Sequence, residues 1–286
     1  MNTGLLALHH SVFTDSIDKP DRDEILALWS QRLDWSGVGV DRDRYLRGCH
    51  NSFASMATDL AGRFSADDPL DIIVIAHATP DADARISLAG TLAAGNTLVF
   101  AISDLGRLAP FSALETVRSY PEGRGLVIAL DQGTVPYADP QLAALDSAAD
   151  HAVGLLLGDG GRVDLHSLRL LTNVPPEQVE AVVAAELTCA PVDLAIIGAH
   201  VPSGVAHLER RAPADQLCSA VWSALAEEIA APSSWCRRIA VIEYEPALHT
   251  VGLLHLELSA PACALSGEPA TEIFLPSSQA DMRCAP

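Results

Sequence analysis

The sequence is poor in positive charge. It has 18 basic residues against 37 acidic ones, only Lys19 is a lysine, and the formal net charge is −19. A surface of this kind repels nucleic acids, membrane phosphates and acidic protein partners. We therefore exclude nucleic acids and membrane surfaces as partners, and we expect no broad face that docks an acidic carrier protein.

Paired cysteines, long apolar runs and a secretory leader are also missing. The six cysteines are scattered, with no C-x-x-C pair and no histidine at metal-ligand spacing beside them. The longest apolar runs, LDIIVIAHA and HAVGLLLG, are much shorter than the roughly 20 residues that a membrane span needs. The N-terminal segment has no basic region and no small-residue cleavage site. We expect reduced thiols and a cytoplasmic location.

What the chain has in abundance is apolar sequence arranged as alternating helices and strands. Its 286 residues, 49% of them hydrophobic, can bury a large core in one domain or in two halves. Apolar residues at helical spacing predict helices, and short continuous apolar runs predict strands buried on both faces. The predicted helices include 25–35, Tyr45–Phe64, Pro110–Tyr120, Pro175–Leu187 and Pro213–Ile229. The predicted strands are GLLALHHSVF, LDIIVIAHA, TLVFAIS, GLVIALDQG, HAVGLLLG, VDLAIIGAH, RIAVIEYEP and TVGLLHLEL.

The order of these elements divides the chain into two helix-strand halves. The GDGG turn at 158–161 separates a first half, 1–158, from a shorter second half, 159–259. The remainder, 260–286, is rich in proline, serine and alanine and is expected to form a loose arm or a clasp on a partner.

Four segments of the first half resemble, in order and spacing, the thiolase fold and in particular the type III β-ketoacyl-carrier-protein synthases. They are LDIIVIAHATPD, VFAISDLGRLAPF, GRGLVIALDQGT and DSAADHAVGLLL. The resemblance implies an α/β chain with the five-layer αβαβα architecture, built from two pseudo-symmetric halves of which the second is shortened. It also implies a dimer assembled on the sheet edge of the first half, because a lone subunit would expose that edge strand.

The family's nucleophilic cysteine has no counterpart in the matching turn. The alignment of VFAISDLGRLAPF puts Gly106 at that position, and the neighbouring Leu105 and Arg107 are equally inert. Such synthases hold an acyl group as a thioester on a cysteine that a helix N-terminus and a histidine activate. No cysteine of this chain lies within 50 residues of the turn along the sequence.

The resemblance assigns two further catalytic positions in the second half. The strand VDLAIIGAH ends in His200, which matches the family's histidine, and Asp215 is the nearest counterpart of its asparagine. An ionised carboxylate repels the developing oxyanion that an amide stabilises. The intervening family helix is reduced to SGVAHLERR, and EYEPALHTVGLL replaces the glycine-rich closing loop. Of the three catalytic elements only His200 is retained.

A shortened chain without the cysteine is similar to the non-catalytic subunits of heterodimeric condensing enzymes that make alkylquinolones. The shared features are Ser103-Asp104 after the apolar strand and the terminal IAVIEYEPALHTVGLLHLEL. This implies a ketosynthase-like subunit of specialised metabolism, paired with a sister chain that supplies the cysteine, histidine and asparagine. It implies no cofactor, and a CoA or phosphopantetheine thioester of a carrier protein would enter as substrate through the partner.

Other interpretations stay open. The chain is alternatively a cysteine-free acyltransferase with His200 as general base, or a homodimeric protein that binds an acyl ligand without turnover. His200 is otherwise a strand-end histidine bonded to backbone. Asp104 is either the cap of the following helix or an interface residue, and Ser112 is a candidate nucleophile only if a base lies beside it.

No metal or phosphate site is predicted. His9-His10 and His77 occur with Asp81 and Asp83 near strand ends, but their spacing is not diagnostic of a metal. The GDGG turn lacks the lysine and the following serine or threonine of a phosphate-binding loop.

Overall fold

The computed structural model describes residues 3–15, 22–34, 38–64, 69–83, 87–93, 95–120, 123–137, 149–161, 163–230 and 238–258. The strands are β1 (Thr3–Phe13), β2 (Ile72–His77), β3 (Leu98–Ile102), β4 (Gly125–Asp131), β5 (Asp150–Asp159), β6 (Val163–Leu171), β7 (Leu194–Ile197), β8 (Glu209–Arg211), β9 (Arg238–Glu245) and β10 (Thr250–Leu258). The helices are α1 (Arg22–Leu33), α2 (Arg42–Tyr45), α3 (Phe53–Gly62), α4 (Leu88–Leu92), α5 (Ala109–Ser119), α6 (Val179–Cys189) and α7 (Ala220–Ala230). Short 3₁₀ turns precede α5 and α6 and join β9 to β10.

The two halves have the same strand order. The sheet runs β3-β2-β4-β5-β1-β6-β10-β9-β7-β8. From the centre outward, β1-β5-β4-β2-β3 is therefore matched by β6-β10-β9-β7-β8, strand for strand. In the first half β2 pairs in parallel with β3 and β4, and in the second half β7 pairs in parallel with β8 and β9. The other pairs within each half are antiparallel. They join where Gly4 and Leu5 pair with Asp164 and Val163.

The side chains of the inner strands alternate between the two faces of the sheet, which explains why helix layers cover both faces. On β2, Ile73 and Ile75 pack on the side of α3, whereas Ile72 and Val74 face a central core that also contains α5 and α7. A strand that is apolar on both faces needs a helix layer on each side. In the second half, α6 covers the outer face of the sheet through apolar residues of its own. The layers α3, sheet, α5 with α7, sheet and α6 confirm the five-layer architecture and its two pseudo-symmetric halves.

The predicted helix Tyr45–Phe64 was wrong in its first part. The chain instead forms α2, which ends at Tyr45, and α3, which begins at Phe53 with Ser52 as its N-cap. Between them His50 has φ of +62°, a left-handed backbone that a continuous right-handed helix cannot contain. The side chain of Asn51 then donates to Asp150, which fixes the chain's path into α3.

Two predictions in the second half were also wrong. Helix α7 begins at Ala220 rather than near Pro213, because the N–H groups of residues 217–219 bond to Asp131 before the helix starts. The segment SGVAHLERR forms turns and the edge strand β8 rather than a helix remnant. Strand β6 was not predicted. The expected arm, 260–286, lies outside the described residues.

Within the described ranges, no helix is long and apolar enough to cross a bilayer.

The packing of Trp222 at the centre of the molecule predicts how substitutions there change the unfolding free energy. The ring of Trp222 is fully buried, with its centroid 4.9 Å from that of Phe111, and its indole N–H has no hydrogen-bond partner among the described residues. We expect Trp222→Ala to lower the unfolding free energy by about 3–5 kcal/mol. Trp222→Phe should cost about 1.5 kcal/mol or less, because it keeps the ring and removes an unpaired donor.

Urea unfolding at constant pH measures both variants. Leu208→Ala, at a half-exposed surface position, is the control and should change stability by less than about 0.5 kcal/mol. Equal losses for Trp222→Phe and Trp222→Ala would contradict the argument from ring volume.

Candidate functional site

The candidate site lies between the two halves of the sheet, where α5 and α7 begin. The turn after β3 leads into α5, and the ends of β4, β7 and β9 lie at the same level. We call the buried or half-buried residues that meet there the central cluster: Gly106, Arg107, Gln216, Cys218, Glu243 and Glu245. They come from both halves, so only the fold brings them together.

Gly106 lies against a carboxylate. Its φ of +54° is in the left-handed region that favours glycine, and a Cβ atom at this position would overlap the carboxylate of Glu245. One carboxylate oxygen of Glu245 accepts the backbone N–H of Arg107 at 3.0 Å. A carboxylate is stable at a helix start because the N–H groups there are unpaired. The space beside Gly106 is therefore occupied by the carboxylate of Glu245.

The carboxylate of Glu243 likewise fills the space beside a second glycine. A Cβ atom on Gly198, the residue directly after β7, would overlap its carboxylate. Glu243 is fully buried; one oxygen accepts the N–H of Tyr244 at 3.0 Å, and the other has no hydrogen-bond partner in the part of the chain that the structure describes. Burial raises the pKa of Glu243 to about 7, and the Arg107 charge offsets part of that rise.

Carboxylates at the ends of β4 and β9 accept hydrogen bonds from the segments that lead into the central helices, each across the boundary between the halves. Asp131, at the end of β4, accepts the N–H groups of Leu217, Cys218 and Ser219 at 2.8–2.9 Å and the Ser219 hydroxyl at 2.6 Å. Glu245 ends the equivalent strand β9 and accepts the N–H of Arg107 in the 3₁₀ turn before α5. Each half therefore holds the segment that leads into the central helix of the other.

A thiol does lie at the nucleophile turn. Cys218 Sγ donates to the carbonyl of Gly106 at 3.3 Å, although 112 residues separate them in sequence. Cys218 is fully buried, and burial, followed by the Asp131 charge, raises its pKa well above 9. Because the thiolate is the reactive form, this thiol is inert in the folded state.

His200 and Asp215 lie outside the central cluster. β7 ends at Ile197, so His200 lies beyond the strand end and is exposed. Partial desolvation, then the Arg107 charge, lowers its pKa, and Glu245 opposes this. Asp215 is exposed as well, and its charge raises the pKa of His151 against a larger lowering by burial.

The residue after Asp215 supplies a buried amide that sequence reasoning missed. Gln216 Oε1 accepts the Ser223 hydroxyl at 2.9 Å, and its amide nitrogen lies 3.3 Å from His151 Nδ1. Its backbone carbonyl accepts Arg107 Nη1 at 3.0 Å. The amide is thus committed to internal bonds and anchors the loop before α7.

The remaining candidates have structural surroundings. Asp104 is exposed and does not cap the turn before α5, so the cap prediction was wrong: Glu245 takes that N–H instead. Ser112 is half-buried on α5, where its carbonyl accepts the Thr116 hydroxyl. Asp81 accepts the N–H of Phe53 and an amide hydrogen of Gln132, which holds the start of α3.

The histidine candidates form pairs rather than metal clusters. His10 Nε2 lies 3.3 Å from His151 Nδ1, and His77 Nδ1 lies 2.7 Å from the carbonyl of Thr79. His9 packs edge-on against Phe64. Among the described residues, no group of three histidine, cysteine or acidic side chains is arranged to hold a metal ion.

Comparison with known proteins identifies the fold. No protein-family model and no curated protein sequence matches the chain. Its structure is similar to AbyA1, described as a tetronic acid condensing enzyme, at 16% identity and a TM-score of 0.60 over 89% of this chain and 99% of that one. It is similar to ChlB3, described as an acyltransferase, at 15% identity and a TM-score of 0.58 over 92% and 99%.

A third similar structure is the 3-oxoacyl-(acyl carrier protein) synthase III, FabH, of Pseudomonas aeruginosa PAO1. It is 14% identical, with a TM-score of 0.55, over 91% of this chain and 99% of that one. These neighbours are condensing and acyl-transferring enzymes with the thiolase-like fold. At such identities the likeness establishes the fold of this chain, which is thiolase-like, and leaves its activity to the site.

The burial of Glu243 predicts a pH-dependent stability. The folded protein holds this proton up to about pH 7, whereas the ordinary pKa of 4.5 applies to the unfolded chain. The unfolded chain therefore releases the proton first, and the unfolding free energy falls as pH rises from about 4.5 to about 7, by on the order of 3 kcal/mol. Glu243→Gln should abolish this contribution and become progressively more stable than the original protein across that window.

Urea unfolding between about pH 5 and about pH 8 tests the prediction. Glu180→Gln on the exposed side of α6 is the matched control and should follow the original protein at every pH. A constant difference between Glu243→Gln and the original protein would contradict the assigned proton.

The burial of the Cys218 thiol predicts that it reacts with a thiol reagent more slowly than an exposed cysteine does. Cys189 is exposed and should react with iodoacetamide in the folded protein, whereas Cys218 should react only when the protein unfolds. Peptide mapping by mass spectrometry resolves the two sites. Labelling of both at the same rate under native conditions would show that the central cluster opens to solvent.

Proposed function

We propose that this chain is a non-catalytic ketosynthase-like subunit of a heterodimeric condensing or acyl-transferring enzyme in specialised metabolism. One observation carries the proposal: the carboxylate of Glu245 occupies the space next to Gly106 where a nucleophile's side chain would lie. An acyl-enzyme cannot form at a turn that has neither a nucleophile nor room for one.

The electrostatics of the central cluster support this assignment. Condensation needs hydrogen-bond donors aimed at a developing negative oxygen. Here the N–H at the start of α5 is already bonded to Glu245, and Glu243 lies fully buried on the same strand. The carboxylate of Glu245 in this position repels an oxyanion, so the chain has kept the fold and lost the reaction centre.

The proposed partner binds the outer edge of the first half. The edge strand β3, LVFAI, is apolar, and Leu98 is 47% exposed. The opposite edge strand, β8, is short and charged, ERR, as expected of an edge that avoids pairing. Strand addition at β3 by a sister chain would cover the apolar edge and continue the sheet.

In this assembly the sister chain supplies the catalytic cysteine, histidine and asparagine. A CoA or carrier-protein thioester would reach the pair through the sister chain, and this acidic chain would complete the fold and shape the acyl pocket. The proposal also includes a cytoplasmic location, the division of the chain into two halves, 1–158 and 159–259, and the absence of a cofactor.

A second candidate function rests on His200. Its imidazole is exposed and its lowered pKa keeps it neutral near pH 7, which is the state a general base requires. A direct transfer of an acyl group from a thioester to an amine or hydroxyl would not need a cysteine. Such an enzyme would be active without a partner.

Co-expression with a synthase-like chain encoded beside it tests the two functions. We expect the chains to co-elute one to one in size-exclusion chromatography, and an acyl-CoA to label only the partner by intact mass. Gly106→Cys in this chain should not add a label, because Glu245 blocks that position.

The controls separate the subunit from the enzyme. His200→Ala in this chain should leave the activity of the pair unchanged, as should His207→Ala at another exposed histidine. Turnover of an acyl thioester by this chain alone, lost in His200→Ala and kept in His207→Ala, would replace the proposal with the acyltransferase.

A further inference from the structure

His10 and His151 form a hydrogen-bonded pair on the adjacent strands β1 and β5. Both lie on the face that carries the central helices, because Val153, opposite His10 and two residues from His151, belongs to the central core. Nε2 of His10 and Nδ1 of His151 are 3.3 Å apart, the ring centroids are 5.6 Å apart, and the rings are inclined by 20°. These distances place both nitrogens close to the line between the ring centres. The imidazoles therefore meet edge to edge in an N–H···N bond.

The neutral ring of His151 is the acceptor in this bond. Gln216 Oε1 accepts the Ser223 hydroxyl at 2.9 Å, which turns its NH₂ group towards His151 Nδ1, 3.3 Å away. An NH₂ group only donates, so this network assigns a lone pair to Nδ1 and the ring proton to Nε2. His10 then donates through its Nε2–H to the same atom. Two donors, one from β1 and one from the loop before α7, meet at one unprotonated nitrogen.

We propose that His151 is a proton-operated lock on the loop that leads into α7. The neutral imidazole holds this loop through Gln216. The imidazolium carries its additional proton on Nδ1, so three N–H groups point at one place and both hydrogen bonds are lost. The lock is independent of which of the two proposed functions the chain has.

The same proton weakens a second attachment of the loop. Asp131 is the direct cross-strand neighbour of His151, and it accepts the N–H groups of residues 217–219. An imidazolium beside this carboxylate competes with those N–H groups for its oxygens. The loop carries Cys218, whose thiol is fully buried. Opening of the lock therefore exposes the Cys218 thiol to solvent.

The groups around His151 determine the direction of the response to pH. Burial lowers the pKa of His151 below its ordinary 6.5, and the charges of Asp131 and Asp215 oppose that lowering. On β1, burial and then His151 lower the pKa of His10 to about 4, so His10 stays neutral above pH 5. Among the described residues, these are the titratable groups that act on His151. An open loop leaves His151 with its ordinary pKa, so the open state binds the proton more readily: acid opens the lock, and a pH above about 6.5 closes it.

Labelling of Cys218 measures the opening. Methyl methanethiosulfonate is applied to the folded chain between about pH 5 and about pH 7, and peptide mapping gives the rate at Cys218 relative to the exposed Cys189. At about pH 7 Cys218 stays protected, and the relative rate should rise about five-fold or more on acidification to about pH 5. The buried Cys49 should show no such rise, because the chain stays folded.

Three variants separate the effect of the proton from that of the side chain's shape. His151→Asn keeps an acceptor near the place of Nδ1 but takes no proton, so Cys218 should stay protected at both pH values. His10→Gln keeps a donor and leaves His151 to titrate, so the rise should persist. His207→Asn, at an exposed histidine, should behave like the original chain. Glu243 is present in every variant, so its own pH dependence cancels.

Nitrogen NMR of the imidazole rings tests the lock in the original chain without a substitution. At about pH 7 Nδ1 of His151 should carry no proton, and the midpoint of its titration should coincide with the rise at Cys218. If His151→Asn exposes Cys218 at every pH, the substitution has damaged the loop and the NMR midpoint decides.

Four results would overturn the lock. They are no rise at Cys218 in the original chain, a rise that persists in His151→Asn, an equal rise at Cys49, and a proton on Nδ1 of His151 at about pH 7. An equal rise at Cys49 would show that acid unfolds the whole chain rather than opening the loop.

Discussion

The reciprocal bonding of two strand-end carboxylates to two central helices is the interaction on which the middle of this molecule depends. Asp131 holds the residues before α7, and Glu245 holds the turn before α5, each across the boundary between the halves. Buried N–H groups at a helix start must find acceptors. Because each acceptor belongs to the other half, the segments that lead into the two central helices are not fully bonded until both halves of the sheet are in place.

The same arrangement explains why the site is closed. The carboxylate of Glu245 fills the space beside Gly106 and accepts the Arg107 N–H, so that donor is not available to a ligand. Glu243 lies in the neighbouring space with one unpaired oxygen and a pKa raised by burial. An unpaired buried carboxyl destabilises the fold, so the central cluster is not simply optimised for stability.

The sequence predicted the helices and strands whose apolar pattern is strong. It failed at helix boundaries that are set by contacts with distant residues. The buried strands β2, β4, β5 and β9 were predicted because their apolar runs have no other stable environment. The break between α2 and α3 was missed, since it depends on a left-handed His50 and on the bond from Asn51 to Asp150. The late start of α7 was missed for a similar reason, because its cap, Asp131, lies 86 residues or more away.

The sequence by itself determined the alternating apolar pattern, the acidic surface and the glycine at the nucleophile turn, because each is a property of local residues. From the apolar pattern follow the alternating helices and buried strands, and the glycine leaves position 106 without a side chain that could hold a thioester. Only the tertiary structure decided what replaced it: the carboxylates of Glu243 and Glu245, the amide of Gln216 and the buried thiol of Cys218. These side chains come from the other half of the chain, more than 100 residues from the turn. Contacts at that separation are set by the packing of whole layers, which no local pattern encodes.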